Sequence, residues 1–124
     1  FLLYIFGVLL TIGYDTIYGF QDFDDDIKIN IKSLSIKVHN TPKTFVLIIY
    51  AMAIVFLYFS LLLSDFQNIY IIFALSFVIV HFSSQIKKIK IKDKLVLNKI
   101  FLSNVYLGLV LSIIFLLNNL HVTF

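Results

Sequence analysis

Four apolar runs, each about as long as a helix needs to cross a bilayer, fill most of this 124-residue chain. Residues 1–21, 44–64, 66–86 and 100–124 contain one formal charge between them, Asp15, with His counted as neutral. A helix rises about 1.5 Å per residue, so about 20 apolar residues span the hydrocarbon of a membrane. A buried helix in a water-soluble core is seldom so long, and four in succession cannot be hidden in a chain of this size. The reading is therefore all-α: a polytopic bundle of about four transmembrane helices, with spans near 1–21, 44–64, 66–86 and 100–120.

Composition agrees. Hydrophobic residues make up 60% of the chain and charged residues 14%, against about 45–50% and 25% in soluble domains. The absence of Cys removes disulfides and thiolate metal sites. The net charge of +3 does not indicate a nucleic-acid partner, because the lysines are placed as topology signals. All ten basic residues are Lys, and all lie in two joints: Lys28, Lys32, Lys37 and Lys43, then Lys87, Lys88, Lys90, Lys92, Lys94 and Lys99. The third joint, around Asp65, holds none. Positive charge stays on the cytoplasmic side, so both lysine joints face inward, and the Asp65 hairpin and both ends face outward. Contact with anionic lipid is a secondary reading of the cluster from Lys87 to Lys99. The chain opens inside an apolar run, without Met, basic flank or cleavage signal, which reads as the cut end of a longer protein.

Two stretches alternate with period two, residues 27–32 and 89–92, as strands do. An open strand edge beside a membrane has no partner, so these are expected to be short interfacial segments with Ile toward lipid and Lys toward headgroups. Thr41 and Pro42 mark a helix start. His39, His81 and His121 are too dispersed for a metal set; His81 is expected to be packed or interfacial, and His121 to lie at the outer interface. Gly7 and Gly13 are six apart and do not form a small-xxx-small pair.

Chemistry concentrates at the inner end of the first span. In Tyr14-Asp15-Thr16-Ile17-Tyr18-Gly19-Phe20-Gln21-Asp22-Phe23-Asp24-Asp25-Asp26, five of the seven acids fall within twelve residues. On an unbroken helix Asp22 and Asp26 lie about 20° to either side of Asp15, Tyr18 about 60° away and Asp24 opposite. Asp15, Asp22 and Asp26 would then form one carboxylate stripe. An acid at membrane depth costs on the order of 2.5–3.5 kcal/mol on insertion scales and marks a functional site by default. Hard oxygen donors suit Mg²⁺, which typically binds one or two carboxylates together with substrate phosphates. A solvated acidic helix end is the plain alternative.

These residues resemble a known family. Asp-Thr-Ile-Tyr-x-x-x-Asp-x-x-Asp-Asp, followed by Lys32-Ser33, is similar to the second Asp-rich motif of the UbiA prenyltransferases, closest to the 4-hydroxybenzoate polyprenyltransferase branch of ubiquinone biosynthesis. Gln21-Asp22 also fits that branch, and Phe101-Leu102-Ser103-Asn104 with Gly108 is similar to the opening of the family's last helix. The resemblance implies the C-terminal portion of a nine-helix fold, the first Asp-rich motif being carried by a missing N-terminal half. It also implies Mg²⁺ as cofactor, polyprenyl diphosphate and 4-hydroxybenzoate as substrates, and a bacterial or mitochondrial inner membrane with the motif on the cytoplasmic or matrix side. Carried over, Asp15, Tyr18, Asp22 and Asp26 are the catalytic candidates, Asp22 and Asp26 the metal ligands, and Lys32 and Asp15 substrate-binding residues. Asn30 replaces a usual Gly and, as a residue tolerant of the left-handed region, can keep its conformation. Gly19-Phe20 replaces an Ala-His pair, and His39 stands where Gly is common. The competing readings are a non-catalytic remnant or assembly partner, and an ion-binding or transport fragment. Spans two to four carry no acid that would support transport.

Overall fold

In the computed structural model, the backbone of residues 1–122 and the side chains of residues 1–120 are described; the expectation for His121 lies outside the described side chains. Every regular element among these residues is helical. The order is α1 (Leu2–Gly19), a 3₁₀ turn (Phe20–Asp22), α2 (Phe23–Lys28), α3 (Leu34–Val38), α4 (Pro42–Leu62), α5 (Asn68–Lys88) and α6 (Lys94–Val122). Four helices are long and apolar enough to cross a membrane: α1 with its continuation to Lys28, then α4, α5 and α6. Each long helix packs on two neighbours, α1 and α5 both lying against α4 and α6.

The ends of these helices follow local chemistry. Pro42, whose missing N–H costs nothing in a first turn, opens α4 after Thr41, although the Thr41 hydroxyl makes no capping bond. Ser33 caps α3, its Oγ accepting from Ile36 N at 3.4 Å. Asp93 caps α6, its Oδ1 accepting from Val96 N at 3.1 Å. That cap starts α6 six residues ahead of the apolar run that begins at Ile100, because helicity is set by the cap while hydropathy marks only the lipid-embedded part. At the other end of the bundle, Asn118 Oδ1 accepts from Gln67 N at 3.0 Å and ties α6 to the start of α5.

Neither period-two stretch forms a strand. Residues 27 and 28 finish α2, residues 91 and 92 make a turn, and Ile89 is buried in the bundle rather than turned to lipid.

The packing seams are narrow. α4 buries Val46, Tyr50, Ala53, Leu57 and Leu61, and α5 buries Ile71, Ala74, Val78, Phe82 and Gln85. Steps of three and four residues make a coiled-coil-like stripe. Between 22% and 28% of each apolar window is buried inside the chain, so most of the helical surface is left for lipid or further protein. Hydroxyls in the spans return to their own backbone: Thr11 to Gly7 O at 2.9 Å, Thr16 to Ile12 O at 2.7 Å, Ser112 to Gly108 O at 2.8 Å.

Gly13 is where α1 and α4 come closest. A Cβ at Gly13 would run into the ring of Tyr50, whereas one at Gly7 would meet nothing. Tyr50 cannot retreat, since its ring stacks on Phe82 at 3.9 Å and its hydroxyl is bonded to Gln85. Gly13→Ala should therefore destabilise the bundle by about 1–3 kcal/mol, the usual cost of overpacking, while Gly7→Ala should be neutral or better. Denaturant titration in micelles followed by circular dichroism would distinguish the two.

Candidate functional site

α1 carries Asp15 to its exposed side, beside buried Thr16 and Ile17. The chain then tightens. Phe20–Asp22 form a 3₁₀ turn, with Phe20 fully buried and Asp22 at φ −100°, ψ 7°. Each 3₁₀ residue turns about 120° instead of about 100°, so three of them rotate the later carboxylates by about 60° from the straight-helix register. The unbroken stripe expected from sequence is thus interrupted between Asp15 and Asp26. Asp15, Asp22, Asp24 and Asp25 are exposed, and Asp26 is half-buried. No group of three Asp or His side chains among the described residues is close enough to hold a metal ion.

One acid is already engaged. Lys28 Nζ donates to Asp25 Oδ1 at 3.0 Å, the one ion pair among the described residues. Asp15, Asp22, Asp24 and Asp26 are in no ion pair among the described residues.

A defined stop follows. Asn30 N donates to Ile27 O at 3.2 Å, and Ile31 N to Asp26 O at 2.9 Å, the paired bonds of a Schellman helix end. Asn30 occupies its left-handed position at φ 56°. The Asn in place of Gly therefore preserves the turn, as its tolerance of that conformation predicts. Lys32, exposed, lines a groove with Ile27, Asn30 and Ser33 that shares no residue with the cavity at Asp24. Gly19 passes close to α3, a Cβ there lying 3.0 Å from Ser35 Oγ.

Two further lysines beside the acids come from elsewhere in the chain. A cavity of about 380 Å³ is lined by Gln21 and Asp24 on one side and by Ile91, Lys92 and Lys94 on the other. Gln21 Nε2 is buried in this region and makes no hydrogen bond among the described residues. A buried donor without a partner calls for an explanation; an acceptor-bearing ligand is one. Deeper, an apolar groove of about 400 Å³ runs between α1 and α6, from Tyr14 and Phe101 toward Phe6 and Leu111. Tyr14 and Tyr18 both rest on Phe101, at ring-centroid distances of 5.5 and 4.6 Å.

A second polar cluster lies within the bundle. The Tyr50 hydroxyl donates to Gln85 Oε1 at 2.6 Å, and Gln85 Nε2 stands 2.9–3.0 Å from His81 Nε2, Ser103 Oγ and Asn104 Oδ1. Two N–H groups face these acceptors and Ile100 O at 3.3 Å, so the amide shares its donors among α5 and α6.

Known proteins agree with this architecture. Residues 1–119 match the UbiA prenyltransferase family. The chain belongs to that family. It is 33% identical over 110 residues to a 4-hydroxybenzoate octaprenyltransferase of Psychromonas ingrahamii, covering 89% of this chain and 38% of the relative. The enzymes of the same name from Providencia stuartii and Histophilus somni are 34% and 31% identical, over 90% of this chain and 38% and 39% of theirs. The chain thus spans under two-fifths of the length of these relatives. No solved structure matches it.

In this UbiA family member the acidic stretch was legible as a motif, and the resemblance to the last helix fell on Phe101, Ser103 and Asn104, which the fold brings against Tyr18 and Gln85. Gln85, Tyr50, Lys92 and Lys94 gave no such signal. Gln85 and Tyr50 are single polar residues in apolar runs, and only the helix contacts reveal that they meet.

Two sets of substitutions check this geometry. Asn30→Gly should leave stability intact, while Asn30→Val should cost about 1–2 kcal/mol for forcing a branched side chain into the left-handed region, measured by the same titration. Gln85→Leu should cost about 1–2 kcal/mol by stranding the Tyr50 hydroxyl. Adding Tyr50→Phe should return part of that loss, and the double-mutant cycle gives the coupling directly.

Proposed function

We propose that this chain is the C-terminal part of a 4-hydroxybenzoate polyprenyltransferase and supplies the second acidic half of its site. One observation carries the reading: the exposed carboxylate of Asp24, the Gln21 Nε2 without a partner among the described residues, and two lysines line one cavity, while an apolar groove between α1 and α6 begins at Tyr14, two turns before Gln21. A polyprenyl diphosphate has the matching form, a doubly phosphorylated head on a long apolar chain. The 4-hydroxybenzoate octaprenyltransferases to which the chain is similar support the same substrate pair.

The donor set fits Mg²⁺. Asp22 and Asp26 present hard carboxylate oxygens, Asp22 exposed and Asp26 half-buried, and neither is held in an ion pair among the described residues. With no three acids converging, substrate phosphates, water or groups outside this chain would complete the octahedral shell, as Mg²⁺ commonly requires. When bound, the ion neutralises charge on the departing diphosphate. The chain's own residues do the rest. Lys92 and Lys94, with Lys32 further out, balance the remaining negative charge of the head. Gln21 Nε2 donates to a phosphate or carboxylate oxygen. Tyr14 and Phe101, with Tyr18 against Phe101, form the start of the groove that directs the prenyl chain. As the allylic carbon–oxygen bond breaks, the ring carbon ortho to the phenol bonds to the prenyl carbon, and in this reading a carboxylate of the acidic segment, Asp15, receives the proton the ring then loses.

In this reading the acidic segment lies on the cytoplasmic or matrix side of an inner membrane, where both lysine joints also lie. The partner it needs is an N-terminal half bearing the first Asp-rich motif. Co-expression with the N-terminal portion of the Psychromonas ingrahamii relative, supplied with geranyl diphosphate, Mg²⁺ and 4-hydroxybenzoate, should give prenylated product. The chain alone should give none. Asp22→Ala in the complemented pair should lower turnover by on the order of 10²-fold or more, the usual scale for losing an electrostatic stabiliser. Unchanged turnover would remove Asp22 from the metal, and product from the lone chain would overturn the split-site reading.

A further inference from the structure

A cavity of about 520 Å³ opens between the basic ends of α5 and α6, separate from the acidic segment. Its rim carries Lys87, Lys88, Lys90 and Lys99, and its floor His81, Ser84, Gln85 and Ser103. Among the described residues no carboxylate lines it, and it shares no residue with residues 14–26. The nearest acid in sequence, Asp93, is spent capping α6. Four ammonium groups therefore converge with no acid among them, at the level where an apolar span meets water.

The surroundings define what would settle there. A second groove continues from the first through Ser84, Lys87 and Lys88 to Ile79 and Val80 on the exposed side of α5. Val80 is 69% and Ile79 47% exposed. Basic and hydroxyl groups at the boundary, running directly into apolar helix surface, match a phosphate head joined to acyl chains. A soluble anion would use only the upper part. Basic pockets between helices at this depth are suited to acidic lipid heads.

We propose that the inner ends of α5 and α6 form a binding site for the phosphate head of an anionic phospholipid. Lys87, Lys88, Lys90 and Lys99 neutralise the phosphate, Ser84 donates to its oxygens, and the acyl chains lie along Ile79 and Val80. Bound there, the lipid bridges α5 and α6 on the side of Gln85 that opens to the membrane.

The test is lipid selectivity in nanodiscs, which have no inside or outside for altered charge to reverse. The full chain is reconstituted in phosphatidylcholine and probed with spin-labelled phosphatidylglycerol and spin-labelled phosphatidylcholine. Motionally restricted phosphatidylglycerol should exceed phosphatidylcholine by at least about fivefold, the factor one lysine contributes near an anionic lipid. Lys87→Gln, Lys88→Gln, Lys90→Gln and Lys99→Gln combined should reduce that ratio toward unity. The matched set Lys28→Gln, Lys32→Gln, Lys37→Gln and Lys43→Gln should retain it. An equal loss in both sets would overturn the proposal in favour of diffuse attraction. Displacement of the labelled lipid by millimolar inorganic phosphate or diphosphate would overturn it in favour of a soluble anion. Ser84→Ala, which leaves the charge and the helix intact, should weaken selectivity without loss of helicity; if it leaves the ratio unchanged while the lysine set loses helicity, the site is refuted.

Discussion

Tyr50 holds the bundle together. Its ring lies on Gly13 of α1, stacks on Phe82 of α5, and its hydroxyl reaches Gln85, which in turn reaches α6. Helices in lipid gain little from burying apolar surface against each other, because the tails are as apolar as Leu. Close backbone approach and shared hydrogen bonds then decide which faces meet. The contact between Tyr50 and Gly13 is the close approach, and the Tyr50–Gln85 bond is the shared polar link. Together they fix the rotation of all four helices, and with it the face of α1 that carries Asp15.

The acidic segment depends on that rotation and on two local devices. The 3₁₀ turn buries Phe20 while leaving Asp22 and Asp24 outside, and the Schellman end at Asn30 stops α2 one turn after the last acid. Without the first, the carboxylates would follow the straight register; without the second, Lys32 and Ser33 would continue a helix into water. Lys92, in the loop before α6, and Lys94, the first residue of that helix, then approach, with Asp93 between them capping the helix. The proposed diphosphate site is thus assembled from two joints distant in sequence. Both are lysine joints, so the charge that orients the protein in the membrane also surrounds its acids.

Much of the architecture was legible in the sequence. Runs of about twenty apolar residues specify spans because backbone groups in lipid must bond within their own helix. The Asp stretch and the Lys32-Ser33 pair were legible as a motif. Asn30 was legible as a left-handed residue. The start of α6 was not, since a polar helix turn outside the lipid leaves no hydropathy signal. Nor was the buried position of Ile89, because alternation with lysine looks the same whether the isoleucine meets lipid or protein.

The sequence by itself therefore determined that the chain has four spans long and apolar enough to cross a membrane and gathers five of its seven acids in one stretch, because apolar length and charge placement are properties of the chain alone. Only the tertiary structure decided which edge of each helix is inside, that Gln21 Nε2 has no hydrogen-bond partner among the described residues beside Asp24, and that Tyr50, Gln85, Ser103 and Asn104 share one polar knot. In spans apolar on every face, composition carries no record of direction. The choice is made by where a ring finds a glycine and an amide finds a hydroxyl.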